Sequence, residues 1–306
     1  MERLDGGSAV PAHLRGGIVA LGNFDGFHKG HQAVVGRAIA RARTENRPAL
    51  VATFDPHPVR YFRPDTPPFR LTSLNQRERL FAEAGADAMI VFPFNAALSG
   101  LTAEEFVAQR LDGVAGVVTG EDFTFGKGRS GNIEVLAELG AKYGFVAEAV
   151  VPVAEGAEAV SSSRIRDALQ AGDCATATHL LTRPFAVEGV VQHGDKNGGK
   201  LGFPTANIDM GSYLRPRYGV YAVKGRLPDG RMLDGAANLG IRPQFDPPRE
   251  WLEPHFFDFA GDLYGQTVEV EFHAFIRPEA KFDSLDALTL QIERDCECAR
   301  EALAKV

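Results

Sequence analysis

Residues 22–31 read Gly22-Asn23-Phe24-Asp25-Gly26-Phe27-His28-Lys29-Gly30-His31 and lie between two segments whose apolar residues are spaced differently. The segment before them, 18–21, is a short continuous apolar run. The segment after them has apolar residues at helical spacing, namely Val34, Val35, Ala38, Ile39 and Ala42. The pattern predicts a strand, a tight glycine-rich turn and a helix.

The two histidines of this turn, His28 and His31, stand three residues apart at the start of the predicted helix, so they can share one face. Gly22, Gly26 and Gly30 allow the backbone to turn sharply or to approach a ligand closely. The free N–H groups and partial positive charge of a helix N-terminus favour phosphate. We therefore predict a site that handles a phosphate undergoing chemistry; the alternative is a capped turn with two solvated histidines.

The composition bounds the class of protein. The chain has 306 residues, 44% of them hydrophobic and 24% charged, which suits two soluble globular domains. Its net charge of −7 argues against a nucleic-acid-binding protein, and no apolar run predicts secretion or membrane spanning. The three cysteines (Cys174, Cys296 and Cys298) form no disulfide or zinc pattern, so we expect reduced thiols and a cytoplasmic location.

Strand-like and helical segments alternate in the first half of the chain. Residues 1–16 are polar and glycine-rich, and we expect a loose leader there. Strands are predicted over 18–21, 49–54, 88–92, 116–119 and 145–150, and helices over 75–84, 102–111 and 133–143. Thr102 and Glu105 have the spacing of a capping box. The alternation predicts a parallel sheet that binds ligands at the carboxyl ends of its strands.

The hydrophobic period changes to two beyond Thr182-Arg183-Pro184, where we place a domain boundary. Strands are predicted over 185–192, 220–226, 232–238, 256–259 and 268–275, and Pro228-Asp229-Gly230 predicts a hairpin turn. Strands without helices between them predict a small antiparallel barrel, and a final helix is expected over about 284–304. The expected domains are residues 1–182 and 183–306.

Three further motifs in the first domain suit a nucleotide site. Thr53-Phe54-Asp55-Pro56-His57-Pro58 ends the second strand and holds Asp55 and His57 near the crevice of His28, unless it is only a rigid strand end. Gly120-Glu121-Asp122-Phe123-Thr124-Phe125-Gly126 follows the fourth strand and is suited to line a purine pocket, although this motif is weak alone. Ser161-Ser162-Ser163-Arg164-Ile165-Arg166 predicts a polyphosphate clamp or, equally, capping serines with surface arginines.

The second domain carries a glycine-rich basic loop, His193-Gly194-Asp195-Lys196-Asn197-Gly198-Gly199-Lys200-Leu201-Gly202, followed by Phe203-Pro204-Thr205-Ala206-Asn207. In an extended segment Thr205 and Asn207 point to one face, where a hydroxyl and an amide oxygen can complete a Mg²⁺ shell. The alternative is a polar hairpin. Glu253 lies among apolar residues and suits either a general base or a carboxylate at the edge of the core.

These motifs resemble those of the bacterial bifunctional riboflavin kinase/FAD synthetase family over roughly residues 17–304, in the family's order. The first half resembles its adenylyltransferase module, a Rossmann-like member of the HxGH nucleotidyltransferases. The resemblance implies that FMN and ATP give FAD and pyrophosphate. It also implies that His28 and His31 contact the nucleotide phosphates and that Ser162 and Arg164 hold pyrophosphate. Asp55, His57 and Pro58 would lie on the flavin side. The other residues of the nucleotide site would be Gly22, Asn23, Phe24, Asp25, Gly30, Asp122 and Ser161.

The second half resembles the riboflavin kinase module, a six-stranded antiparallel barrel that phosphorylates riboflavin. The resemblance implies that Glu253 is the general base, that Thr205 and Asn207 bind Mg²⁺ and nucleotide, and that Arg300 lies near the flavin. The Gly194–Gly202 loop would cover the phosphates, and Gly194, Lys200, Gly202 and Pro204 would belong to the nucleotide site. Riboflavin, FMN and ATP are then the expected partners of a monomer or weak homo-oligomer. The rivals are another HxGH adenylyltransferase, acting on pantetheine phosphate or a nicotinamide nucleotide, and a non-catalytic flavin sensor.

Overall fold

The structure, a computed structural model, describes residues 1–193, 202–242 and 249–306. The chain divides into two compact units. The first unit comprises Met1–Thr66 and Leu74–Ser161, and the second comprises Pro67–Ser73 and Ser162–Val306. The division by function at 182/183 stays a prediction, because these units describe how the chain packs and not what each part does.

A six-stranded sheet forms the centre of the first unit. Its strands are β1 (Glu2–Asp5), β2 (Ile18–Leu21), β3 (Ala49–Asp55), β4 (Ala88–Pro93), β5 (Gly116–Gly120) and β6 (Val146–Val150). They lie in the order β1-β4-β3-β2-β5-β6, and every neighbouring pair is parallel. The predicted parallel sheet is confirmed. Because β2 lies between β3 and β5, the segments that leave these three strands emerge at one edge.

The expectation of a loose leader over residues 1–16 is wrong. Residues Glu2–Asp5 form the edge strand β1, which pairs with β4 from Glu2 opposite Ala88 to Asp5 opposite Val91. Leu4 is the apolar contact that this strand makes with the core. The strand is therefore held mainly by backbone hydrogen bonds, which leave no hydrophobic period in the sequence.

Helices cover both faces of this sheet. They are α1 (Lys29–Thr44), α2 (Pro58–Phe62), α3 (Leu74–Ala84), α4 (Ala96–Gly100), α5 (Ala103–Arg110) and α6 (Ile133–Tyr143). Alternate residues of β2 feed two cores, Val19 and Leu21 on one face and Ile18 and Ala20 on the other. The predicted capping box of α5 is confirmed. Two single-turn helices, Ala12–Leu14 and Lys127–Arg129, and a hairpin of β7 (Ala154–Glu155) and β8 (Glu158–Ala159) complete the described elements of the unit.

A closed barrel forms the centre of the second unit. Its strands are β9 (Phe185–Gln192), β10 (Asn207–Asp209), β11 (Gly219–Arg226), β12 (Met232–Arg242), β13 (Arg249–Phe256) and β14 (Thr267–Arg277). Their order is β10-β13-β12-β11-β14-β9, with antiparallel neighbours. The predicted six-stranded barrel is confirmed. The strand predicted over 256–259 is wrong, since β13 ends at Phe256 and Asp258 turns the chain with φ 56°.

Three helices and one short segment pack on the barrel. The helices are α7 (Ser162–Ala171), α8 (Cys174–Leu181) and α9 (Leu285–Leu303), of which α9 is the expected terminal helix. Helix α9 closes a small apolar cluster with Ala299 and Leu303 over Ala222 and Ala236. The short segment is 67–73, which belongs to the same unit. Within it, the Arg70 N–H donates to Ser212 O at 3.1 Å and the Arg70 carbonyl accepts from Leu214 N at 2.8 Å.

Candidate active sites

His28 is the N-cap of α1. Its Nδ1 accepts from the backbone N–H of His31 at 3.4 Å, and the residue is only 5% exposed. Since Nδ1 accepts, the neutral imidazole carries its proton on Nε2 and can donate from that atom. The two imidazole rings stack with centroids 3.6 Å apart and planes 20° apart. The turn therefore presents two stacked imidazoles at a helix N-terminus, a place that favours an anion.

Burial holds the turn before α1 in a strained shape. Phe24 and Phe27 have φ values of 50° and 44°, in the left-handed region that non-glycine residues rarely adopt. Both rings are buried and meet Phe81 of α3 edge-on, at centroid distances of 5.9 and 5.1 Å. A Cβ on Gly22 would lie 2.9 Å from Phe24 Cζ, so this position requires glycine. The packing of α3 thus fixes the turn that carries the histidines.

A buried polar network joins this turn to the end of β3. Thr53 Oγ1 donates to Asn23 O at 2.8 Å, and Arg77 Nη1 donates to the same carbonyl at 3.0 Å and to Thr53 Oγ1 at 2.8 Å. Arg77 Nη2 lies 3.9 Å from Asp55 Oδ1. Sequence reasoning missed Thr53 and Arg77 as supports of the site, because their partners are 24 to 54 residues away.

The predicted flavin-side residues leave β3 at the same edge. The Asp55–Pro56 peptide is cis, and Asp55 O accepts from Phe94 N at 3.0 Å. His57 is the N-cap of α2, with Nδ1 accepting from Val59 N at 3.2 Å, and Pro58 is the first residue of that helix. Strands β2 and β3 are parallel neighbours, so these residues and the histidine turn emerge side by side.

An aromatic cluster adjoins the flavin-side residues. Tyr61 lies 5.2 Å from Phe62 and 5.4 Å from Phe94, and Phe94 lies 6.0 Å from Phe54, all measured between ring centroids. Phe62 is 65% exposed, unusually high for a large aromatic ring. An exposed apolar surface beside polar groups is typical of a ligand site. Sequence reasoning missed it, although two adjacent aromatics soon after Pro58 were a visible signal.

Asp122 follows β5 at the same edge of the sheet and is exposed. Gly120 O accepts from Phe123 N at 3.1 Å, and a Cβ on Gly120 would lie 3.0 Å from Asp122 Oδ1. The segment is thus a tight turn that brings the carboxylate back against the strand end. Its strand β5 is the other neighbour of β2, so three of the four predicted motifs of the first domain meet at one edge.

The serine–arginine motif is divided between the two units. Ser161 ends the first unit, whereas Ser162 and Arg164 lie in the first turn of α7, in the second unit. Arg166 has a structural partner: its Nε donates to Phe69 O at 2.8 Å, and its guanidinium lies 5.2 Å from the Phe69 ring centre. A role for Ser161, Ser162 and Arg164 in holding pyrophosphate stays a prediction.

In the barrel, three polar side chains form one row across three strands. Asn238 on β12 pairs with Glu253 on β13, and the register that pairs Ile208 with Leu252 puts Asn207 opposite Glu253 on the other side. Directly paired residues of antiparallel strands share a face. The row therefore aligns an amide, a carboxylate and an amide, and Asn238 was not predicted as a site residue.

Hydrogen bonds to β13 hold the segment before Asn207. Ala206 N donates to Pro254 O at 2.9 Å, and His255 Nδ1 lies 2.8 Å from Pro204 O. Thr205 is half-buried within this segment, and Gly202 is exposed with φ 86°. Gly194 and Lys200 lie outside the described residues.

Arg300 on α9 has its guanidinium 4.2 Å from the centre of the Phe257 ring, and its Nη1 donates to Asp258 at 3.0 Å. Phe257 also lies 6.0 Å from His255, two residues after Glu253. Arg300 thus lies beside the chain that leaves β13.

Two family models match the chain, the one described as FAD synthetase over residues 10–164 and the one described as riboflavin kinase over residues 181–303. A bifunctional riboflavin kinase/FMN adenylyltransferase of Escherichia coli (strain K12) is 39% identical over 293 residues, covering 95% of this chain and 94% of that protein. The protein of that name from Bacillus subtilis (strain 168) is 38% identical over 286 residues, covering 91% and 90%. The chain belongs to the bifunctional riboflavin kinase/FMN adenylyltransferase family.

A solved structure with the same fold is described as a macrolide-efflux protein from Streptococcus pneumoniae. It aligns with a TM-score of 0.85 at 32% identity and covers 95% of each chain. No helix in the described part of this chain is long and apolar enough to cross a membrane.

Both halves of the riboflavin kinase/FMN adenylyltransferase family are present, in the order expected from the sequence. The chain is thus a bifunctional transferase of flavin-cofactor biosynthesis that makes FMN and FAD with ATP as co-substrate. The rival adenylyltransferases for pantetheine phosphate or nicotinamide nucleotides leave the riboflavin kinase match unexplained.

The donor set of the barrel suits a magnesium ion. The Thr205 hydroxyl and the Asn207 amide supply hard oxygen donors, the kind that Mg²⁺ prefers, and Asn207 is only 8% exposed. Among the described residues no cluster of three His, Cys, Asp or Glu side chains could hold a metal ion. The Thr205 and Asn207 oxygens fit an ion that is shared with nucleotide phosphates.

Proposed function

We propose that FAD forms at the Gly22–His31 turn, by attack of an FMN phosphate oxygen on the α-phosphorus of ATP. The bond from that phosphorus to the bridging oxygen breaks, and pyrophosphate leaves. The observation that carries the proposal is the stacked pair His28 and His31 at the N-terminus of α1. The Nε2–H of His28 donates to a phosphate oxygen and offsets the charge that develops on it. The protein's part is positioning and electrostatics, since no covalent intermediate is needed.

The flavin and nucleotide contacts follow from the shared sheet edge. Asp55, His57 and Pro58 bind the flavin phosphate side, and the exposed Phe62 ring offers a stacking surface to isoalloxazine. Asn23 Oδ1 is buried and has no hydrogen-bond donor among the described residues, so a ligand N–H is its natural partner.

The remaining nucleotide contacts come from the motifs that the sequence singled out. Asp122 and the glycine turn at Gly22 and Gly30 approach the nucleotide, while Ser161, Ser162 and Arg164 hold the leaving pyrophosphate through hydroxyl, N–H and guanidinium donors.

We further propose that FMN forms at the barrel, with Glu253 as general base for the riboflavin 5′-hydroxyl. The carboxylate takes the hydroxyl proton as that oxygen attacks the γ-phosphorus of a second ATP, and ADP leaves. A magnesium ion held by Thr205 and Asn207 would neutralise phosphate charge when bound. The row formed by Asn207, Glu253 and Asn238 supports this assignment, because in it the proposed base Glu253 lies beside Asn207, the proposed ligand of magnesium and nucleotide.

Further residues complete the proposed barrel site. Arg300 would lie near the flavin, and Gly194, Lys200, Gly202 and Pro204 would cover the nucleotide. The adenylyltransferase domain then comprises residues 1–182 and the kinase domain residues 183–306. We propose a cytoplasmic monomer or weak homo-oligomer that binds no nucleic acid, in keeping with the net charge of −7.

The test is incubation with riboflavin and Mg-ATP, with FMN and FAD resolved over time. His28→Ala and His31→Ala should slow FAD formation by on the order of 10²–10³ and leave FMN formation intact. Equal loss of both products would assign the histidines a structural role. A chain that bound flavin but formed neither product would be the sensor and not the enzyme.

A further inference from the structure

Arg77 is a buried cation that contacts both sides of the proposed adenylyltransferase site. It lies on α3 and is 3% exposed. On the nucleotide side its Nη1 donates to Asn23 O at 3.0 Å, within the turn that carries the histidines. On the acceptor side it reaches β3, with Thr53 Oγ1 at 2.8 Å from Nη1 and Asp55 Oδ1 at 3.9 Å from Nη2.

A guanidinium buried at this depth has a high desolvation cost, so its presence calls for a specific role. Taking a charge out of water costs several kcal/mol, and apolar replacements of similar volume are often as stable. Packing against the turn is already supplied one helical turn later by Phe81, which meets both Phe24 and Phe27. The feature that arginine adds here is a rigid fork of donors that spans two neighbouring strand ends.

We propose that Arg77 is a positioning residue for adenylyl transfer, which sets the spacing between the bound nucleotide and the bound flavin phosphate. The proposal rests on the proposed function, which puts ATP at Gly22–His31 and FMN at Asp55–Pro58. In-line attack needs the reacting atoms held in a near-attack geometry, and a misplacement of about 1 Å costs on the order of 10² in rate. Arg77 acts on that geometry through Asn23 and Asp55 and touches neither substrate.

The spacing role predicts a specific kinetic signature. Each substrate still finds its own half of the site when Arg77 is replaced, so binding of ATP and of FMN is largely kept. The rate of transfer between them falls, because the two halves no longer have a fixed separation. A role in stability alone would instead lower activity only as far as it lowered the fraction of folded enzyme.

The experiment measures kcat and both KM values for FAD formation from FMN and ATP in the full chain, with riboflavin phosphorylation as an internal reference. The variants are Arg77→Met, Arg77→Lys and Thr53→Val, with Arg41→Met as matched control. Arg41 is also a mostly buried arginine of the first unit, since its side chain is 13% exposed and its Nη1 donates to Val146 O at 3.2 Å. Its partners, however, are Glu45 and β6, away from the histidine turn.

We expect Arg77→Met to lower kcat by on the order of 10² with either KM changed less than about threefold. Thr53→Val should lower kcat by about tenfold, and the double variant should lose little more than Arg77→Met alone, because both bonds meet at Asn23 O. Arg77→Lys should lie between wild type and Arg77→Met. Arg41→Met should lower the thermal midpoint without changing kcat.

The proposal is overturned if Arg77→Met keeps its kcat, if both KM values rise as kcat falls, or if Arg41→Met loses as much activity at equal loss of stability. Should Arg77→Met fail to fold, Arg77→Lys and Thr53→Val carry the same comparison. The variant His28→Ala distinguishes failure of the proposed adenylyltransferase site from failure of the positioning role of Arg77. If it retains FAD formation, the proposed site has failed; if it loses FAD formation while the Arg77 and Thr53 variants do not, only the positioning role has failed.

Discussion

Replacing Gly30 by alanine should separate the stability of α1 from the chemistry at its N-terminus. Gly30 lies in the first turn of α1, and its φ is not positive, so alanine is compatible with the backbone. A Cβ there would lie 3.2 Å from Cε1 and 3.3 Å from Nδ1 of His28. Ordinary carbon contacts are about 3.5–4.0 Å, so the imidazole must move by a few tenths of an ångström.

Two effects on stability then nearly cancel. Alanine in place of a helical glycine raises the free energy of unfolding by about 0.5–1 kcal/mol. The displaced His28 weakens its 3.4 Å bond to His31 N, and loss of an N-cap costs about 1 kcal/mol. The thermal midpoint should therefore change by no more than about 4 °C. FAD formation should fall about tenfold, since a displacement of about 1 Å costs on the order of 10².

Gly36→Ala is the matched control, because Gly36 lies in the same helix, is exposed, and would have no atom within 4 Å of its added Cβ. Gly36→Ala should gain the stability that alanine gives a helix and should form FMN and FAD at the wild-type rates. The assay follows FAD and FMN formation with purified variants, alongside thermal unfolding. If Gly30→Ala made FAD at the wild-type rate, the position of the His28 ring would not matter to catalysis, and the reasoning from its geometry would be refuted.

Three further changes test the barrel. Glu253→Gln should slow riboflavin phosphorylation by roughly 10²–10⁴ and spare FAD formation from added FMN; an unchanged first step would remove it as the base. Burial alone would raise the pKa of Glu271, but the hydrogen bonds and charges of His273 at 3.2 Å and Arg226 at 3.4 Å together outweigh burial and leave that pKa lowered. The stabilisation by Glu271 is then present above the unfolded pKa of about 4.3 and is lost as pH falls through the lower folded pKa. Glu271→Gln should therefore make the thermal midpoint depend less on pH below about pH 5. Parallel pH profiles of variant and wild type would contradict this. A fragment of residues 162–306 should melt higher than one of 183–306, because α8 buries Leu180 and Leu181 within the unit; equal midpoints would show that α7 and α8 add nothing to the barrel.

The strong hydrophobic periods made most of the fold predictable. Helix α6 was expected over 133–143 and β9 over 185–192, and both have those bounds. The errors have physical causes. Strand β1 is held by pairing more than by apolar contacts. In β13, Pro254 has no N–H to donate and so weakens the strand pattern in the sequence, yet its carbonyl accepts from Ala206 N. The apolar residues at 256–259 predicted a strand, but Phe257 packs in the apolar cluster under α9.

The site residues divide in a similar way. The histidine turn could be predicted because its glycines, its histidines and the following helix are contiguous in the sequence. Asn238 and Arg77 could not, since each depends on which residue lies opposite it in space. Asn238 meets Glu253 only through the β12–β13 register, and a slip of one residue would turn its amide to the other face.

The same distinction separates the reacting groups from the groups that hold them. The stacked histidines are brought together by four residues of local chain. The spacing between them and the flavin-side carboxylate, in contrast, depends on three distant elements, β2, β3 and α3, which converge on the carbonyl of Asn23. In the proposed site, local sequence therefore supplies the reacting groups, and tertiary packing would set how well the two substrates are aligned. Replacing the histidines of the turn should slow adenylyl transfer by on the order of 10²–10³ through loss of charge stabilisation, whereas substitutions around Arg77 should slow it through misalignment while substrate binding persists.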